Sequence, residues 1–445
     1  MKQLTIFILM GFLLFPGKSK SQEQYSLEKL LRHAIENSHA MKKAELQQSG
    51  SRAKFKEALA NGLPQVDGSL DYSRMGIPDI EISQELIDGL PENLAPMLEG
   101  LSNLKAMHTT SAGVTVSQLL YSQSYLTGLK QARKAEELYD VMLRKTEDDV
   151  INDVSTQYYQ ILANYASLGI LDKNIDALEK LYNILKLQYE NDFVKQTDVN
   201  RLKVSVTNLK TQRETLQNGI RIQERILKII SGIPVDQEIV LATFNQNVDH
   251  NQPGLAAFSI EALPDYQLLQ KQIELAKLQV ASDKAAYYPN LAAFGQFTYS
   301  SYATEFQLKN FSNMNTIGLK ASIPIFSSGM RKQKLIQSEL KLQETQQDFD
   351  LNAKYLETNY RNASNSLLSA WANLQDQKEN KELANKVYGQ VKLQFDEGMA
   401  SLTDLLNVET SLLEAENLFN QQLLKYKLAE IDLLKTTGRL KSLVN

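Results

Sequence analysis

Residue types able to do chemistry are sparse in this chain and poorly spaced for it. The four histidines are His33, His39, His108 and His250. None lies four residues from another, and none has carboxylates at ligand spacing, so no metal centre is expected. Cysteine is absent, which removes disulfides, thiolate metal sites and thiol nucleophiles. There is no Gly-x-Ser-x-Gly, His-Glu-x-x-His, phosphate-binding loop or dinucleotide fingerprint. The residues therefore point away from an enzyme and ask for no cofactor. Trp371 and the tyrosines Tyr158, Tyr159, Tyr165 and Tyr182 sit at helical spacing and read as packing. Two acids recur in a regular setting, Asp198 and Asp404, each preceded by threonine. An acid just inside a helix start is favoured by the helix dipole.

The 445 residues are 43% apolar, 22% charged and 8% aromatic, which excludes a disordered chain and a helical membrane bundle. Twenty glycines and ten prolines are too few for a collagen-like or linker-dominated chain. A net charge of −4 lacks the basic footprint of a nucleic-acid binder. Residues 1–21 combine Lys2, an apolar run from Leu4 to Phe15 and small residues before Gln22. That is the pattern of a secretory signal peptide, and the run is shorter than a spanning helix needs. Every later apolar stretch is interrupted by Lys, Gln, Asn or Asp. A chain of this kind meets a bilayer again only through strands.

The elements that position Asp198 and Asp404 come in two series. Leu187-Gln188-Tyr189 recurs as Leu393-Gln394-Phe395, Thr197-Asp198 as Thr403-Asp404, and Gly232 as Gly438, all at one offset. Tyr121-Ser122 matches Phe326-Ser327, and Leu63-Pro64 matches the region of Pro289. The offset changes between Pro64 and Tyr121, so one insertion lies inside 65–120. This predicts two structural repeats, 22–235 and 262–445, joined by a connector at 236–261. Each repeat opens with a helix, from Ser26 to about Asn61 and from Asp265 to about Ala286. Two strands of alternating pattern follow in each, about 65–74 and 111–120, then about 290–300 and 316–326. Val66, Gly68, Leu70 and Tyr72 share one face and Gln65, Asp67, Ser69 and Asp71 the other. A very long helix comes next. Ile151, Val154, Tyr158, Ile161, Tyr165 and Leu168 step by three and four. Leu356, Tyr360, Ala363, Leu367, Ala370 and Leu374 do the same, as in a coiled-coil seam. Breaks at 190–196 and 396–401 lead into return helices, with Thr197 and Thr403 expected as their N-caps.

Strands of nine or ten residues, apolar on one face and polar on the other, suit the tilted wall of a membrane barrel. Four of them cannot close one, and open edges are not tolerated in lipid. The expected fold is α+β: long helical coiled coils with a four-strand share of a trimeric transmembrane β-barrel. The alternative is a soluble periplasmic coiled-coil interaction or adaptor protein whose strands pack on its helices.

Taken together, the paired series, the helix–proline–strand entries, the passage Ile323-Pro324-Ile325-Phe326-Ser327-Ser328-Gly329 and the Thr-Asp pair after each break resemble the TolC family of bacterial outer-membrane efflux channels. The resemblance covers nearly the whole mature chain. It implies a homotrimer in outer-membrane lipid, a helical tunnel into the periplasm, and docking on a periplasmic adaptor and an inner-membrane pump. By position it implies adaptor-docking tips at Asn191-Asp192-Phe193 and Glu397-Gly398-Met399. It also implies a periplasmic gate at Asp198, Asp404 and Asn407. Asp192 stands where the family turn usually has glycine, and Ala400 where some members have the arginine of the gate. Asn407 is then expected to supply hydrogen bonds near Asp404. The insertion, Met75 to about Thr110, is expected as the longer extracellular loop.

Overall fold

The computed structural model describes residues 24–76, 106–242 and 257–444, with positions 83, 89, 91, 96, 253 and 254. The signal segment, most of the expected extracellular loop, part of the connector and His250 lie outside the described residues. Helix α1 (Leu27–Asn37) and α2 (His39–Ala60) precede strands β2 (Gln65–Gly76) and β3 (Ala106–Ser122). Helix α3 (Gln123–Glu190) and its return, α4 (Gln196–Ser231), follow. The second half runs α5 (Pro264–Ala285), β5 (Asn290–Ala303), β6 (Ser312–Ser322), α6 (Met330–Asp396) and α7 (Leu402–Thr436). The two-residue strands β1 (Gln24–Tyr25) and β4 (Val240–Leu241) pair in parallel. Among the described residues no helix is long and apolar enough to cross a membrane.

Three expectations need correction. The opening helix is two helices, because Ser38 takes extended backbone, ψ 146°, and its Oγ accepts from the Met41 N–H at 3.3 Å. The expected insertion is shorter than Met75–Thr110, because its ends continue the strands and pair, Met75 with Met107 and Gly76 with Ala106. The last strand is Ser312–Ser322 and does not run on to 326. Pro324 lacks an N–H and restricts Ile323, while residues 312–316 find register opposite 296–300.

The chain forms two compact units. One comprises Ala44–Leu143 and Pro264–Tyr355. It holds an antiparallel sheet in the order β2-β3-β5-β6 and the adjoining parts of the helices. A charged network ties those helices. Lys271 Nζ lies 2.7 Å from Glu137 Oε2, Lys134 Nζ 3.1 Å from Glu274 Oε2, and Gln48 Nε2 donates to Asp140 Oδ1 at 2.7 Å.

The other unit comprises the residues up to Lys43, Arg144–Leu263 and those from Leu356 on. Seam residues Ile151, Val154, Tyr158 and Ile161 are buried on α3. On α6, Ala363, Leu367, Ala370 and Leu374 pack against Phe419, Leu423, Tyr426, Ala429 and Leu433 of α7. Each fully buried leucine contributes about 2 kcal/mol by the area it removes from water. Asn420 of α7 donates from Nδ2 to the Ala163 carbonyl and to Ser167 Oγ, both at 2.7 Å, pinning α7 to α3.

The end of α4 shows why Gly232 must be glycine. Its φ is 73°, the left-handed region, and an added Cβ would sit 2.4 Å from the Asn37 carbonyl oxygen. Gly232→Ala therefore costs about 1–2 kcal/mol from the backbone alone, and the collision adds to that. Gly169, inside α3 with nothing within 4 Å of an added Cβ, is the opposite case. Gly169→Ala raises stability by roughly 0.5–1 kcal/mol. Thermal melting of the two variants should move in opposite directions.

Candidate functional site

Two surfaces carry the candidate functional residues, and each is built by a different local rule. The first is the sheet. Its register brings Val66, Val116, Gly295 and Ile317 into one row, and Leu70, Ala112, Tyr299 and Asn313 into another. Val114, Phe297 and Leu319 share this face. Gln65, Asp67, Ser69, Asp71, Ser111, Thr115, Ser117, Gln296 and Thr298 share the opposite one. The alternation read from the sequence thus becomes one apolar and one polar face. The apolar face is open: Leu70 is 87% exposed and Ile317 91%. Exposed apolar surface of this extent marks an interaction surface. Among the described residues the edge strands β2 and β6 each have one neighbour, which leaves a row of backbone groups on each without a strand partner. At one end of the sheet Tyr72 lies against Phe306, edge to face, with its hydroxyl 2.8 Å from His108 Nδ1.

The second surface is the pair of turns after α3 and α6. At the first, Asp192 N–H donates to the Tyr189 carbonyl at 3.0 Å and Phe193 N–H to the Gln188 carbonyl at 2.9 Å. At the second, Gly398 N–H donates to Phe395 at 3.0 Å and Met399 N–H to Gln394 at 2.7 Å. Both are Schellman caps, which place one residue in left-handed backbone after the helix. Those residues are Asp192, φ 60°, and Gly398, φ 73°. Asparagine and aspartate tolerate this region better than other residues, which lets Asp192 stand where the other three such caps have Gly232, Gly398 and Gly438. A Schellman cap commonly buries the next residue against the helix. Ile233, after Gly232, is buried in this way, whereas Phe193 is 80% exposed and Met399 75%.

The acids at these turns are not where the threonines were expected to place them. The N-caps are Lys195 and Ser401, not Thr197 and Thr403. Ser401 Oγ accepts from Asp404 N–H at 3.2 Å, and Asp404 Oδ2 accepts from Ser401 N–H at 3.1 Å. This reciprocal capping box satisfies two orphan donors of α7. The Ser401 bonds hold the Asp404 carboxyl below its usual range. Within the chain its partner is Ser401, not Asn407, which is exposed one turn further on. Asp198 lies in the first turn of α4 and its N–H donates to the Lys195 carbonyl at 3.0 Å. Asn191 Nδ2 caps the α3 end on the Leu187 carbonyl at 2.8 Å, and Glu397 is exposed.

Three residues went unnoticed in the sequence. Ser401 was legible, since Ser-x-x-Asp before an apolar run is a capping-box signature. Arg201 donates from Nη1 to Thr403 Oγ1 at 3.0 Å, joining the first turns of α4 and α7. Nothing local signals a contact between residues 202 positions apart. Glu409 is an acid among the seam positions Leu402, Leu405 and Leu412, and it is buried.

A sequence profile described as outer membrane efflux protein matches residues 30–232 and 260–439. A probable efflux pump outer membrane protein, TtgC of Pseudomonas putida, is 20% identical over 93% of this chain and 83% of its own length. The outer membrane protein TolC of Escherichia coli is 20% identical over 97% of this chain and 86% of its own. Among solved structures, the Campylobacter jejuni CmeC outer membrane channel superposes with a TM-score of 0.75 at 17% identity. It covers 93% of this chain and 85% of that one. The open-state Neisseria gonorrhoeae MtrE outer membrane channel gives 0.73 at 16% identity, over 93% and 88%.

The capping box sets a pH dependence. Because the folded Asp404 carboxyl titrates below its unfolded value, its contribution is present above about pH 4 and is lost as pH falls through the lowered value. Ser401→Ala removes the larger cause, the hydroxyl that donates to Asp404 Oδ2 at 2.6 Å, and leaves the backbone N–H. In that variant an Asp404 titration followed by carboxyl NMR should move up toward the ordinary range, and amide exchange in the first turn of α7 should quicken.

Proposed function

The chain belongs to the outer membrane efflux protein family, and from that premise we propose that three copies form the exit duct of a tripartite efflux or secretion assembly. The duct is passive and sits in the outer membrane with its helical tunnel in the periplasm. The observation that carries this reading is the open apolar face of the β2-β3-β5-β6 sheet together with its two unpaired edges. In the trimer the edges of neighbouring copies pair, the two half-chains act as structural repeats, the apolar face meets lipid and the Asp67–Asp71 face lines water. A soluble adaptor would have to cover that face, and the sheet residues Leu70 and Ile317 are bare. The segment between β2 and β3 is then the longer extracellular loop.

The turns at 191–193 and 397–399 are the tips that an adaptor receives. Their support is the exposure of Phe193 and Met399 on caps that ordinarily bury such a residue. Asp198, Asp404 and Asn407 form the periplasmic constriction. Arg201, bonded to Thr403, supplies the guanidinium that Ala400 does not. Passage is driven by an inner-membrane pump, so the duct itself needs no catalytic group and no cofactor.

Chemical cross-linking in mild detergent should give a threefold mass that stays with outer membranes after carbonate washing. A detergent-free monomer would sink the reading. Phe193→Asp with Met399→Asp should leave that trimer intact and abolish efflux-dependent growth on a pump substrate. Three Asp404 carboxylates around one axis attract cations. Asp404→Ala should therefore lower cation selectivity and cation block in planar-bilayer recordings. Unchanged selectivity and block would return Asp404 to the helix cap alone, because a charge on an outer face is screened within about 8 Å at physiological salt.

A further inference from the structure

Glu409 is the one seam residue in the first turns of α7 whose chemistry does not fit its place. It is 6% exposed and stands in step with Leu402, Leu405 and Leu412. No hydrogen bond reaches its carboxylate from the described residues. The matching position on α4 is Lys203, which is exposed. The acid is thus specific to α7 and is not a feature that both return helices share.

Its surroundings form a small cavity between three helices. Asp176 and Lys180 face it from α3, and Tyr388, Lys392 and Asp396 from α6, over an apolar floor that includes Leu178 and Leu405. Charges of both signs are near: Lys180 is paired with Asp176 at 2.7 Å, and among the described residues none forms an ion pair with Glu409. A carboxylate in such a place loses much of its hydration without a partner to replace it, so its neutral form packs better. Burial pushes the Glu409 carboxyl up to about 7, against the pull of Lys392. The Tyr388 hydroxyl is also pushed up, by burial and then by the charges of Glu409 and Asp396.

We propose that Glu409 is a proton-operated latch: protonated, it lets the first two turns of α7 pack onto α3 and α6, and ionised, it works to separate them. The sign follows from linkage. The packed state binds the proton more tightly than the separated state, in which Glu409 is hydrated. Packing is therefore fully supported at low pH and is weakened as pH rises through neutrality. The consequence for transport rests on the reading of this end as the constriction: proton loss then favours the open duct.

The test reads the packing directly, with the full-length trimer in detergent. Hydrogen–deuterium exchange is followed in residues 402–412 between pH 6 and pH 8, corrected for the intrinsic chemical rate. With Glu409 moving from about 7 when packed to 4.5 when hydrated, protection should fall about tenfold over that interval. In Glu409→Gln it should stay flat. Lys392→Met removes a positive charge that favours the carboxylate, so it should move the midpoint upward. The same pH dependence in wild type and Glu409→Gln, or a downward midpoint in Lys392→Met, overturns the proposal. Exchange does not depend on conductance, so a wrong assignment of the constriction would show only in the Asp404→Ala recordings.

Discussion

A strand edge surrounded by hydrocarbon has no water to bond with, and that requirement governs the rest of this protein. Each unpaired backbone group in lipid costs several kcal/mol, so an open sheet of four strands is not a stable membrane structure. One chain supplies β2 and β6 as edges and an apolar face with nothing on it. The proposed closure by identical copies would remove both problems at once. Such symmetry would extend to the helices. Leu340, Leu351, Leu383 and Leu393 are exposed along α6.

The proposed threefold symmetry would turn single residues into rings, and this would give modest side chains large effects. Asp404 in one chain is an ordinary helix cap, bonded by Ser401. Repeated about the proposed axis it would become a concentrated charge. The two roles do not compete, because the cap uses Oδ2. The Schellman turns follow a parallel logic. The backbone geometry at Asp192 and Gly398 matches that at Gly232. What differs is the next residue, which is buried at Ile233 and bare at Phe193 and Met399. A stable cap that leaves its apolar residue outside is a rigid presentation of a contact, at little entropic cost to a partner.

How much of this was legible depends on whether the cause was local. Alternation along Gln65–Arg74 is a local property, and the faces it predicted are the faces of the sheet. Strand ends are not local. Residues 312–316 carry little alternation and become strand because β5 offers register opposite them. Ser38 is a poor advertisement for a helix break, since serine is common in helices, and only the burial of its hydroxyl shows why the chain turns there. The threonines at 197 and 403 drew attention because they recur. The serine at 401 does not recur, since Lys195 occupies the matching place, and it is the residue that caps. Repetition marks what the two halves share, whereas the capping serine and the buried acid Glu409 lie where the halves differ.

That difference is sharpest between α4 and α7. On α7, packing strengthens along the helix. From Ala415 onward the seam is carried mainly by Phe419, Leu423, Tyr426 and Leu433, with Asn420 bonded to the Ala163 carbonyl. Before that point the seam carries Glu409 among Leu402, Leu405 and Leu412, and Leu402 packs with Leu178 and Leu185 of α3 and Val199 and Leu202 of α4, beside the exposed Arg201–Thr403 hydrogen bond. An ionised carboxylate at Glu409 detracts from that packing, so the first two turns of α7 gain less from burial than an unbroken row of leucines would give. Separating them from their neighbours exposes Leu402 and Leu405 but recovers the hydration of one carboxylate. Separating α7 beyond Asn420 would expose a whole row of large side chains at about 2 kcal/mol each. In the proposed trimer a separation limited to the turns nearest Ser401 would be the least costly movement, and a small displacement of each copy would change the distance between three carboxylates.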